Sequence, residues 1–232
     1  MVNPNVWWDE DGNLLTRDNA GREAYVMVQF ERPLMEKVAG IICRRGGHVL
    51  NVGYGCGLID HAIQQHDIES HTIVEAHPDV YRRMLDEGWD RRPNVTILHS
   101  RWQDVEWAAY RRWFDGIFWD PYPFKPKSLD EWAWHKLVHQ LVRPGGKFVN
   151  YAICATREQA ESWGAGWPSN ISLEIETCDV EVPFEIPEWR GLGVGGHQIY
   201  LPVHTKMIRP LSEKFARRRW NGRRRRQDRR FR

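Results

Sequence analysis

Apolar and polar positions change their period several times along this 232-residue chain. From Asp18 to about Arg44 the residues Tyr25, Val28, Leu34, Met35, Val38 and Ile42 fall on one face at helical spacing. That pattern predicts a helix, broken or restarted at Pro33 because proline fixes its φ and lacks an amide donor. Alternation of strand and helix patterns follows. His48–Val52 reads as a strand, Leu58–Gln65 as a helix, Thr72–Val74 as a strand, and Pro78–Gly88 as a helix with proline in its first turn and glycine at its end. Val95–Leu98 and Phe114–Trp119 read as strands, Leu129–Val142 as a helix, Pro144-Gly145-Gly146 as a turn, and Lys147–Ile153 as a strand. This succession predicts an α/β fold with a parallel, doubly wound sheet. After a helix near Thr156–Trp163, Ile171–Val182 and Gln198–Val203 have no helical pattern between them and read as an antiparallel pair at the sheet edge. The glycine-rich loop between that pair, Gly191 to Gly196, is expected to be mobile.

Composition narrows the class. Hydrophobic residues make up 41% of the chain, enough for one globular α/β domain with a terminal extension. Thirteen tryptophans serve as large core residues or line aromatic pockets. Cys43, Cys56, Cys154 and Cys178 form no CxxC pair and no secretory leader precedes them, which points to reduced thiols in a cytoplasmic protein. No His or Cys spacing matches a metal-ligand pattern, so no metal is expected. No apolar run is long enough to span a bilayer. Ten of the 33 Lys and Arg lie in residues 217–232 against one acid, Asp228, so the tail carries +9 and the remainder −7. Residues 211–232 read as a basic, disordered tail. It serves solubility or docks on an anionic partner such as RNA, a membrane surface or an acidic protein patch.

The chemistry is expected beyond the carboxyl ends of the parallel strands, where open sheets bind ligands. Val49-Leu50-Asn51-Val52 leads into Gly53, Tyr54, Gly55, Cys56 and Gly57, a strand entering a glycine turn before a helix. Glu75, at the tip of the next strand, is placed to accept hydrogen bonds from ribose hydroxyls. Trp102 and Gln103, with Asp104, stand where a purine would be flanked, and Asp120 ends the following strand. The glycine spacing is GxGxG, and no second substrate domain follows. With the added antiparallel strands, the pattern resembles the seven-stranded class I methyltransferases that use S-adenosylmethionine.

Two further segments narrow the resemblance. Val26-Met27 with Phe30-Glu31-Arg32-Pro33-Leu34-Met35 is similar to a segment of guanidinoacetate N-methyltransferases. Glu75-Ala76-His77-Pro78-Asp79-Val80, Asn94 to Leu98 and Arg101-Trp102-Gln103-Asp104 look closest to the related fungal protein-arginine methyltransferases that modify the internal guanidino nitrogen. Phe114 to Asp120 and Tyr200-Leu201-Pro202 also fit, so the resemblance covers roughly residues 24–210. It implies that Glu31 and Asp120 grip a guanidino group, with Tyr122 and the backbone at Cys154 and Ala155 beside the acceptor. It also implies cofactor contacts at Gly53, Tyr54, Gly55, Gly57, Glu75 and Ala76, at Trp102 and Gln103, from Met27, and from an N-terminal aromatic over the cofactor, Trp8 or its neighbour Trp7. Residues 1–45 are then a cap over the active site and 46–210 the cofactor-binding core. Departures exist: Phe30 replaces the family tryptophan, Arg32 its threonine, and Pro121-Tyr122 the residues after the aspartate. The acceptor is a small guanidino compound or an arginine side chain in a peptide. The rival readings are a nucleic-acid amino-methyltransferase using Asp120-Pro121-Tyr122 and the basic tail, and a binding protein that kept the fold without catalysis.

Overall fold

In the computed structural model, which describes residues 5–18, 20–122, 137–163, 165–186, 189 and 191–208, the sheet is laid down mostly by parallel strands. They are β4 (His48–Val52), β5 (Ser70–Glu75), β6 (Val95–His99), β7 (Phe114–Trp119) and β8 (Val142–Asn150). Two long strands follow, β9 (Ile171–Val182) and β10 (Gly195–Lys206). Their order is β6-β5-β4-β7-β8-β10-β9, with β10 antiparallel to both neighbours. The seven-stranded, mostly parallel α/β sheet with an antiparallel C-terminal pair is therefore as the alternation predicts. Its order reverses beside β4, so the crevice where ligands bind open sheets opens between the ends of β4 and β7.

Strand periodicity sorts the two faces. Val49 and Phe118 join one core with the helix α1 (Arg32–Ile42) and α2 (Leu58–Ile63). Leu50, Val52, Ile117 and Trp119 point the other way, onto a core closed by Leu141 and Val142. Gly116 permits the close approach of α1, because a Cβ there would strike the Ile42 carbonyl. A third cluster joins Tyr54, Ile73 and Trp89 to α3 (Pro78–Asp86) and to Leu14 of an N-terminal meander.

That meander corrects the predicted Asp18–Arg44 helix. Residues upstream of α1 form three antiparallel strands, β1 (Val6–Trp8), β2 (Leu14–Arg17) and β3 (Glu23–Met27). Asp18 closes the β2–β3 turn by accepting from the Ala20 and Arg22 amides, and Gly21 takes φ +76. The local turn chemistry, with an aromatic and a β-branched residue in Tyr25 and Val26, overrides the helical spacing. After a 3-10 turn at Gln29–Glu31, the α-helix begins at Arg32 with Pro33 in its first turn. The Pro144-Gly145-Gly146 turn is absorbed into β8 as an irregularity, since Phe114 pairs with Val142 but Gly116 with Lys147. Strand β8 ends at Asn150 rather than Ile153, and Cys154 makes only an isolated bridge to Tyr200. Helix α4 (Arg157–Trp163) lies near its predicted place. Most of the Leu129–Val142 helix and all of the basic tail fall outside the described residues.

Candidate active site

Glu31 and Asp120 come from opposite ends of the fold's logic. Asp120 is the residue after β7, its amide bonded to the Val52 carbonyl at 2.9 Å. Glu31 stands at the N-terminal end of α1, where Pro33 in the first turn favours the helix start. Its side chain is buried, and Oε1 accepts from the Tyr151 hydroxyl at 2.7 Å and from Trp189 Nε1 at 3.0 Å. Tyr151 follows directly on β8, its amide bonded to the Trp119 carbonyl, so the ends of β7 and β8 and the start of α1 converge. Phe30 meets Trp189 edge-on at 5.0 Å, completing the wall.

Asp120 is deeply embedded yet part of its surface stays reachable by solvent, as for a side chain on the floor of a cleft. Burial, and then the nearby charge of Glu31, push its carboxyl well above the ordinary carboxylate range. Burial followed by Glu31 and Asp120 pushes the Tyr151 phenol up, so it stays a hydrogen-bond donor at any physiological pH. The structure thus brings together the two acids that lie far apart in sequence. Tyr151 and Trp189 were not singled out from sequence: one tryptophan among thirteen, and one tyrosine after a strand, carry no pattern of their own.

Next to this pair lies the glycine turn. Gly53 takes φ +97, and a Cβ there would collide with the Asp120 carbonyl, so the turn and the β7 tip can lie together only with glycine. Met27, at the end of β3, covers the loop: its Sδ would lie 3.2 Å from a Cβ on Gly55. Gly57 starts α2 in the left-handed region. The Tyr54 side chain is fully buried and its hydroxyl donates to Glu87 at 2.6 Å, so Tyr54 offers the site only its backbone. That backbone amide donates to Glu75 Oε2 at 2.9 Å, while the His77 amide donates to Oε1 at 2.6 Å beside half-buried Ala76. Burial raises the Glu75 carboxyl, and these amides work against that rise. Below the turn, Asn51 Nδ2 donates to both Asp60 oxygens and to the Gly53 carbonyl, while His71 Nε2 lies 3.1 Å from Asp60 Oδ1 outside hydrogen-bonding geometry.

The other expected contacts are spread wider. Trp102 is half-buried, edge-on to Trp119 at 5.2 Å, and Gln103 is exposed beside it. Asp104 is held in an exposed pair with Arg101 at 2.6 Å, which engages the carboxylate expected beside the purine. Trp8 packs with the Tyr54 and Trp89 cluster, under the Arg83 guanidinium at 4.6 Å. Tyr122 is half-buried two residues past Asp120. The Cys154 side chain is directed into a small core with Ala152 and Ala160, and its carbonyl is bonded to the Tyr200 amide. The Cys154 side chain therefore does not face the acids, and the Ala155 amide is bonded to Gln159 Oε1 at 2.8 Å.

Comparison with known proteins fits this arrangement. The family model described as guanidinoacetate N-methyltransferase matches residues 17–165. A protein arginine N-methyltransferase 2 of Aspergillus oryzae is 37% identical over 196 residues, 79% of this chain and 45% of its own. The protein of the same name from Yarrowia lipolytica is 36% identical over 151 residues, 62% of this chain and 30% of its own. The chain thus spans between about a third and just under half of those relatives. Among solved structures, M. jannaschii TYW2 in complex with AdoMet covers 90% of this chain and 88% of its own at TM-score 0.51 and 13% identity. The methyltransferase domain of bacterial CtHen1-C covers 78% of this chain and 100% of its own at TM-score 0.53 and 14% identity. At those identities the likeness is one of fold.

Proposed function

This chain belongs to the guanidinoacetate N-methyltransferase family, and on that premise we propose that it transfers a methyl from S-adenosylmethionine to a guanidino nitrogen of arginine or an arginine-like acceptor. The observation that carries this reading is the meeting of Glu31 and Asp120 at the β7 tip, with Tyr151 and Trp189 fixing one Glu31 oxygen. Two buried acids this close repel, and a planar cation between them removes the repulsion while offering paired N–H donors to each. A neutral nucleobase amine gives Glu31 no such partner, which favours the guanidino reading over a nucleic-acid amine. The names of the arginine-methylating relatives support the same acceptor class.

The residues next to the acids fit the methyl donor. Glu75 keeps acceptor capacity on both oxygens for ribose hydroxyls, and the Gly53–Gly57 turn and Met27 bound the space beside it. Residues 1–45 act as the cap and 46–210 as the binding core in this reading. When bound, S-adenosylmethionine supplies an electrophilic methyl whose transfer leaves a neutral thioether. Glu31 and Asp120 orient the acceptor nitrogen toward that methyl. A guanidinium has a pKa above ~12 and a delocalised lone pair, so a base must take its proton as the N–C bond forms. Asp120, ionised once the cation neutralises its surroundings and more basic than an ordinary carboxylate, takes that proton.

Further parts of the reading rest on charge and thiols. The +9 tail would draw an anionic partner, and four free cysteines fit a reducing compartment such as the cytoplasm. Incubating the chain with labelled methyl donor, guanidino compounds, an arginine peptide and an RNA oligonucleotide, followed by mass spectrometry, tests the proposal. The expected product carries the label on a guanidino nitrogen; label on RNA amines alone would refute it.

A further inference from the structure

The underside of the glycine turn holds a polar cluster that methyl transfer itself does not use. Asn51 of β4, Asp60 of α2 and His71 of β5 are all fully buried. A carboxylate can accept about four hydrogen bonds. Among the described residues, both Asp60 oxygens accept from one nitrogen, Asn51 Nδ2, at 2.8 and 2.9 Å. The same nitrogen donates to the Gly53 carbonyl at 2.9 Å, so its hydrogens are shared between the carboxylate and the turn. A buried carboxylate so thinly satisfied is costly, and the group beside it matters accordingly.

That group is His71. Its Nε2 lies 3.1 Å from Asp60 Oδ1, off the line of a hydrogen bond and with no other partner among the described residues. At this distance, what Nε2 carries decides the sign of the interaction. A hydrogen there attracts the carboxylate, whereas a lone pair repels it. The other ring nitrogen settles which is present. Gln64 Nε2 sits 3.2 Å from His71 Nδ1, so Nδ1 accepts and the hydrogen of the neutral ring is on Nε2. With the Gln64 amide reversed, Nδ1 would need the hydrogen, and a neutral ring would turn a lone pair toward Asp60. Only a doubly protonated ring avoids that clash, and it too carries a hydrogen on Nε2.

His71 lies four residues before Glu75 on β5, and Trp89 stands edge-on to its ring at 6.1 Å. We propose that His71 is a positioning residue for cofactor binding. Its Nε2–H holds the Asp60 carboxylate, Asp60 holds the Asn51 amide, and Asn51 fixes the Gly53 carbonyl of the turn. The inference rests on the S-adenosylmethionine reading above and adds to it a residue too deeply buried to reach either cofactor or acceptor.

The test combines calorimetric titration of the full chain by S-adenosylhomocysteine with nitrogen NMR of protein carrying isotope-labelled histidine. His71→Phe keeps a ring and removes both nitrogens, and should raise the Kd by about three- to tenfold. The same substitution in an Asp60→Asn background, where no charge remains to hold, should change the Kd by less than about twofold. Thermal melts establish that each variant is folded at the titration temperature. Should His71→Phe melt too low, Gln64→Met takes its place in the same cycle, with the same outcomes expected. In the unaltered chain, the histidine resonance that His71→Phe or Gln64→Met alters should report a protonated Nε2. A bare Nε2, an unchanged Kd, or an equal loss of affinity in both backgrounds reduces His71 to packing and overturns the proposal while leaving the cofactor reading standing. Failure of the unaltered chain to bind S-adenosylhomocysteine overturns both.

Discussion

Asp120 carries the largest conflict between stability and chemistry. Its carboxyl is raised by burial and by Glu31, so the native state favours the neutral acid. That preference adds stability below the ordinary carboxylate range near pH ~4 and is lost as the pH climbs through the raised native value. Asp120→Asn keeps a neutral group at every pH. It should raise the melting temperature near neutrality, by roughly 1 kcal/mol or more of stability, with a gain that grows as pH rises from acid. Turnover should fall by ~10²–10⁴-fold while S-adenosylhomocysteine still binds. Scanning calorimetry across pH and single-turnover assays check both halves, and unchanged turnover removes Asp120 as the base. Tyr151 and Trp189 act one step away, by holding Glu31 Oε1. Hydrogen bonds to charged groups contribute ~1.5–3 kcal/mol, so Tyr151→Phe or Trp189→Phe should weaken acceptor binding by about tenfold or more with cofactor affinity little changed. Calorimetric titration of each ligand separates the two effects.

At the scale of elements, the site depends on how the chain is pinned where it leaves β4. The glycine turn after β4 is held from beneath by Asn51, whose amide bridges Asp60 of α2 and the Gly53 carbonyl. Asn51→Ala leaves the buried Asp60 carboxylate short of a donor, which should cost about 1–3 kcal/mol. It should also loosen the turn and reduce S-adenosylhomocysteine affinity; urea denaturation and titration calorimetry measure the two losses. Legibility from sequence followed the reach of each signal. The βα succession, the glycine turn and the antiparallel pair follow from local period and are readable directly. The N-terminal meander is not, because Tyr25, Val28 and Leu34 mimic a helical face while Asp18 and Gly21 turn the chain. Glu31 and Asp120 became readable through a resemblance that spans distant segments. Their partners Tyr151 and Trp189 became visible only when the tertiary fold placed β8 and the segment before β10 against α1. The Cys154 side chain, packed into a small core beside the bridge to Tyr200, carries no sequence pattern that foretells its direction.

Over the whole molecule, charge is unevenly placed. The tail's +9 stands against −7 for the rest, so binding to an anionic partner should weaken as salt rises, whereas methyl transfer to a small acceptor should not depend on residues 217–232. Truncation at 216 followed by both assays separates the two roles, and loss of small-acceptor turnover would make the tail part of the site. The acids also set a pH dependence for the entire binding reaction. An acceptor cation draws Asp120 into its ionised form, so binding should release a proton and tighten as pH rises toward the raised carboxyl value. The most direct measurement is calorimetric titration of the S-adenosylhomocysteine-bound protein with an arginine peptide and with the same peptide carrying citrulline, its neutral isostere, in buffers of different ionisation enthalpy. Tight, proton-releasing binding of the arginine peptide, lost with citrulline and in Glu31→Gln, is the predicted result. Equal affinity for the two peptides would contradict a cation held between Glu31 and Asp120.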